Sequence, residues 1–92
     1  MIVSPEFKTF AGRFYDMPPT DSKGFEPWID SKISAFSAQE RTRLKSFLSQ
    51  SIAKETDLVM LRDAWRDAGA VFTFPKSADV SSFFQGVISL LK

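Results

Sequence analysis

The sequence contains no cysteine and no histidine. The first absence excludes disulfides, thiolate nucleophiles and zinc–thiolate sites, and is compatible with a reducing cytoplasm. The second removes the commonest general base, transition-metal ligand and pH switch. Carboxylate, Lys, Tyr and Ser chemistry are all that remain for catalysis. The four glycines, Gly12, Gly24, Gly69 and Gly86, are scattered, so no glycine-rich phosphate loop exists. No apolar run approaches the roughly 18 residues of a membrane span. The start, Met1-Ile-Val-Ser-Pro-Glu6, has neither a basic nor an apolar leader region. The expectation is a cytoplasmic protein with no membrane contact, no cofactor, no metal and no catalytic residues.

What is abundant is phenylalanine. Ten Phe, two Trp and one Tyr make 14% of 92 residues, and 43% of the chain is hydrophobic. A chain this short is one domain and buries only about 60–65% of its unfolded surface. Each buried ring removes about 150–250 Å² from water, at roughly 25 cal/mol per Å². A handful of rings therefore offsets much of the ordering entropy.

The net charge is +1 but unevenly placed. Residues 1–30 hold five acids and three bases, residues 31–54 one acid and five bases, and residues 55–92 five acids and four bases. A basic middle lies between mildly acidic ends.

Helical spacing of apolar residues predicts five helices. Ser4-Pro5-Glu6 reads as a cap, a first-turn proline and an acid at the positive dipole end, with Phe7, Phe10, Ala11 and Phe14 following, over about residues 5–16. Met17 to Gly24, with two prolines, is a loop. Trp28, Ile29, Ile33 and Phe36 mark a second helix over about 26–36. Ser37-Ala-Gln-Glu40 is a capping box, and Leu44, Phe47, Leu48 and Ile52 continue a helix over about 38–53. Thr56-Asp57 starts a fourth helix carrying Leu58, Leu61, Ala64, Trp65 and Ala68, with Gly69 as its left-handed stop. Val71 to Phe74 has strand composition but no partner strand, so an extended connector is expected. Ser77 or Asp79 caps the last helix, which carries Val80, Phe83, Phe84, Val87, Ile88 and Leu91. Gly86 inside it costs about 1 kcal/mol unless a neighbour packs close. The fold class is therefore all-α, a single domain over 1–92 around a Phe-rich core that includes Phe47, Leu61, Trp65, Phe83 and Phe84.

The charged residues admit more than one reading. Asp63 and Asp67 stand one helical turn apart, but Arg62 and Arg66 beside them describe an ion-paired solvated face better than an acid–base pair. Arg41, Arg43 and Lys45 form a basic run. Arg41 and Lys45 share a helix side, Arg43 does not, and no aromatics are interleaved for base stacking, so nucleic acid is the runner-up partner. Tyr15, Asp16, Met17, Asp21, Glu26, Trp28 and Asp30 combine aromatics and acids around the Pro-Pro loop. Such a set either binds a basic protein surface or packs over the core rim.

The segment Leu61-Arg-Asp-Ala-Trp65-Arg-Asp-Ala-Gly69-Ala, then Phe72-Thr-Phe74, then Phe83-Phe84 and Ile88, resembles the helical immunity proteins of contact-dependent growth inhibition systems. The Ser37-Ala-Gln-Glu-Arg-x-x-Leu44 start and the early Phe14-Tyr15-x-x-Pro18 region are similar too. The resemblance covers about residues 5–91, mostly at core positions. It implies a cytoplasmic protein that binds the C-terminal toxin domain of a growth-inhibition effector and masks its active surface. Tyr15, Asp16, Asp21, Glu26 and Asp30 are the expected contacts, with Asp63 and Asp67 as a second patch. Many such toxins are nucleases with basic clefts, and their immunity proteins are often acidic. This chain departs from that with its net +1. Either its acidic N-terminal region suffices locally or the toxin is not a basic nuclease.

Overall fold

Ser4 is extended (φ −70°, ψ 148°), and its Oγ accepts the Phe7 N–H at 3.0 Å. The predicted cap is thus formed, and it opens α1, Pro5–Gly12. This is the first element of a computed structural model that describes residues 3–91, the side chain of Ser22 excepted. Met1 and Ile2, part of the start read above as leaderless, and Lys92, counted among the C-terminal charges, lie outside the described residues. The remaining elements are a 3-10 turn at Ser22–Gly24, α2 (Phe25–Ile33), α3 (Ala38–Ser51), α4 (Glu55–Asp67) and α5 (Ser77–Leu90). Among the described residues there is no strand, so the architecture is all-α.

Several boundaries differ from the sequence pattern, each for a local reason. α1 stops at Gly12, short of residue 16, because the Arg13 N–H turns to the Phe10 and Ala11 carbonyls and tightens the last turn. Phe14 leaves the helix axis yet stays fully buried. Pro18 and Pro19 also disfavour helix in the residues before them. α2 ends at Ile33 because the capping box needs Ser37 extended, at ψ 167°. Both reciprocal bonds of that box are present, Glu40 N–H to Ser37 Oγ at 3.1 Å and Ser37 N–H to Glu40 Oε1 at 3.0 Å. α3 ends at Ser51, with Ile52 as its C-cap. The cap assignments at α4 and α5 need correction. Lys54 precedes α4 and Lys76 precedes α5, both extended and neither bonding through its side chain. Ser77 is already helical, and Asp79 sits in the first turn, where it meets the positive dipole end.

Gly69 has φ 101°, the left-handed stop expected after α4. The connector beyond it pairs with no strand among the described residues; its Val71 N–H donates to the Phe14 carbonyl at 2.9 Å, and its Phe72 carbonyl is an acceptor for the core. α5 packs against α2, α3 and α4, while α1 lies against α3 and α4. Gly86 meets its condition. A Cβ there would lie 3.1 Å from Phe25 Cε2, so the glycine lets the Phe25 ring rest on the α5 backbone.

Trp65 occupies the centre with no exposed surface. Seven phenylalanine rings, Phe7, Phe10, Phe14, Phe72, Phe74, Phe83 and Phe84, have centroids 4.7 to 6.2 Å from it. Leu61 and Phe84 are fully buried as expected, whereas Phe47 and Phe83 are only partly buried, packed against the core edge. The Trp65 Nε1–H donates to the Phe72 carbonyl at 2.9 Å, so the buried indole leaves no unpaired donor.

Trp65→Ala is therefore expected to cost about 3–5 kcal/mol, a large share of the roughly 5–15 kcal/mol of a small domain. Urea unfolding followed by circular dichroism measures it. A midpoint within error of wild type contradicts this account of the core.

Candidate interaction surface

The loop after α1 is fixed to the frame at several points. Phe14 is buried against Trp65 and Trp28, with centroids 4.7 and 5.0 Å away. Next to it, Asp16 spends both carboxylate oxygens on α2. Oδ1 pairs with Lys32 Nζ at 2.6 Å and Oδ2 accepts the Trp28 Nε1–H at 3.1 Å. The Lys32 side chain is 6% exposed and that of Asp16 47%, so the pair reaches the surface from the carboxylate side. The ammonium also lies over three rings, 4.5 Å from the Tyr15 centroid, 5.4 Å from Phe14 and 5.8 Å from Trp28. Such cation–ring contacts strengthen as water is excluded. Behind it, the Arg13 guanidinium donates to the Lys32 carbonyl at 2.7 Å and stacks 4.3 Å from the Phe36 centroid.

Sequence reasoning missed Lys32. It was counted in the basic middle segment, and its partner is sixteen residues away. The one available signal is helical phase, since Lys32 falls on the same stripe of α2 as Trp28, Ile29 and Ile33.

The second half of the loop is equally constrained. Asp21 Oδ1 accepts the Gly24 N–H at 2.8 Å, closing the turn into α2. A Cβ on Gly24 would lie 2.8 Å from Pro19 Cβ, so only glycine lets the proline fold back there. The result is an open groove of about 440 Å³ between the loop, α2 and α5, lined by Pro18, Pro19, Asp21, Phe25, Trp28 and Phe83. Tyr15 (77% exposed), Met17 (67%) and Val71 (52%) are exposed apolar or aromatic side chains of the same loop and of the connector bonded to it.

The expected contact residues fall into three groups. Tyr15 and Asp16 surround Lys32, and Asp21 lines the groove. Glu26 and Asp30 are exposed, one turn apart on α2. Asp63 and Asp67 lie on α4 among its own arginines, Asp63 at 3.8 Å from Arg62 and 3.7 Å from Arg66, and Asp67 at 3.6 Å from Arg66. That patch is internally balanced, as an ion-paired face would be. On α3, Arg43 pairs with Glu6 at 3.4 Å and the Arg41 guanidinium reaches the Ser34 carbonyl at 3.5 Å. Of the basic run only Lys45 is left without a partner among the described residues. No group of three or more Asp and Glu among the described residues is arranged to hold a metal ion. No helix among them is long and apolar enough to cross a membrane.

The hydrogen bond from Lys32 holds the Asp16 carboxyl below the usual carboxylate range, with the Trp28 N–H adding to it and partial desolvation opposing it. Glu40 is lowered too, chiefly by the Ser37 backbone N–H. A lowered folded value stabilises above the unfolded value, 3.8 for Asp16, and the gain is lost as pH falls through the folded one. In Asp16→Asn the thermal midpoint is expected below wild type near neutral pH, the two curves converging as the pH falls below the unfolded value of 3.8 and through the lowered folded one. Parallel curves across that range would remove Asp16 from the stability balance. No known protein family, curated protein or solved structure matches the chain.

Proposed function

We propose that this is an immunity protein that binds the C-terminal toxin domain of a contact-dependent growth inhibition effector in the cytoplasm and neutralises it by covering its active surface. The observation that carries the reading is the Tyr15–Gly24 loop. An exposed tyrosine, an exposed methionine and an aromatic groove are held on a loop pinned by Asp16, Asp21 and Phe14. Aromatic residues and methionine are enriched in interface cores, and rigid anchors lose little entropy on binding. The acids on α2 supply the steering that such a surface uses toward a basic partner. The resemblance at Leu61 to Gly69 and Phe72 to Phe84 supports the same family from the core side. The protein then acts by occupancy, without chemistry of its own.

Calorimetry against the polypeptide encoded immediately upstream tests the proposal. Tight one-to-one binding is expected, with growth restored when both are expressed. Tyr15→Ala is expected to weaken binding about tenfold or more, as for a central aromatic anchor, and Glu26→Lys with Asp30→Lys mainly to slow association. Both leave the far-ultraviolet spectrum unchanged, because Tyr15 is exposed and neither acid has a partner among the described residues. No binding to that polypeptide, with steeply salt-dependent binding to generic duplex DNA instead, would overturn the reading in favour of α3.

A further inference from the structure

The groove beside the Pro-Pro loop has a composition that selects an occupant. Its walls are two prolines and three aromatic rings, Phe25, Trp28 and Phe83, with one acidic residue, Asp21, in the lining. Asp21 Oδ1 is taken by the Gly24 N–H, while Oδ2 has no partner among the described residues and Asp21 lines the groove. With Asp16 offset by Lys32, the chain from Tyr15 to Lys32 carries three further acids, Asp21, Glu26 and Asp30, against the single base Lys23. Ring faces carry negative charge density, so aromatic walls with a carboxylate attract a cation.

The same molecule already contains one such arrangement, filled from within. Lys32 lies against Phe14, Tyr15 and Trp28 and pairs with the Asp16 carboxylate at 2.6 Å. Trp28 belongs to both arrangements, as part of the cage around Lys32 and as part of the groove wall. Among the described residues, no lysine or arginine lines the groove. We infer that it receives an arginine side chain of the protein partner, the guanidinium lying against Trp28, Phe25 and Phe83 and pairing with Asp21 Oδ2. Arginine fits better than lysine because a planar guanidinium is weakly hydrated and stacks on rings, whereas an ammonium gives up more water to enter an apolar groove. Arg13, stacked 4.3 Å from the Phe36 centroid, shows the same pairing elsewhere in the fold. The inference rests on the partner-binding reading above and deepens it by naming what the partner presents.

Nuclear magnetic resonance of the whole protein tests it without any toxin. Nα-acetyl-arginine methylamide is titrated while the Trp28 indole N–H signal, assigned by its loss in Trp28→Phe, is followed. A saturable shift with a dissociation constant in the millimolar range is expected, and none with the neutral citrulline counterpart. Asp21→Asn keeps an oxygen for the Gly24 N–H while removing the charge, and is expected to bind about two- to fivefold more weakly. No saturable shift, or an equal response to citrulline, overturns the inference. If the toxin domain binds wild type and Asp21→Asn equally and the arginine amide produces no shift, the groove assignment falls and the immunity reading stands. If the arginine amide binds but the upstream polypeptide does not, the groove chemistry stands and the immunity reading falls.

Discussion

A fully buried indole imposes two conditions at once. It must be surrounded on all sides, and its single N–H must find an acceptor inside the protein. Trp65 meets the first with seven phenylalanine rings drawn from α1, the loop after it, the connector and α5. It meets the second at the Phe72 carbonyl. That bond fixes the connector after α4, and the connector in turn ties Val71 to the Phe14 carbonyl. Phe14 is the last buried residue before the exposed loop. The geometry of the surface loop is therefore set in part by where one indole nitrogen sends its hydrogen. In a chain of 92 residues, with no disulfide to close a loop, such a ring cluster takes the place of a staple.

The frame was legible in the sequence wherever the cause was local. Ser4 and Ser37 are caps because a short hydroxyl side chain reaches an N–H three residues on, and both bonds form. Gly69 ends α4 because its φ of 101° is one that side chains resist. Apolar spacing at Leu44, Leu48, Leu61, Trp65, Val80 and Phe84 gave the buried faces correctly. What the pattern did not give is set by tertiary context. The starts of α4 and α5 lack side-chain caps, and the residue before α5 is Lys76, with Ser77 and Asp79 already inside the helix. α1 ends early because Phe14 is needed off its axis, against Trp28 and Trp65.

The candidate surface was legible in composition and not in arrangement. That aromatics and acids gather between Tyr15 and Asp30 is visible by inspection. That Asp16 is spent on Lys32, and Asp21 on Gly24, depends on how the loop folds back on α2. Two acids expected to face a partner thus hold the loop first. The exposed tyrosine beside them is supported on the ammonium that Asp16 neutralises.

The two tryptophans occupy contrasting surroundings, and this gives the protein a built-in optical reporter. Trp65 is sealed from solvent, so its emission is expected toward the blue until the core opens. Trp28 is half-buried at the wall of the groove, its indole bonded to Asp16 and a lysine ammonium 5.8 Å from its ring. Its emission is therefore expected to respond to what enters the groove. Unfolding changes the surroundings of both indoles, whereas occupancy of the groove touches Trp28 alone, so the two events are expected to leave different signatures in the unlabelled chain.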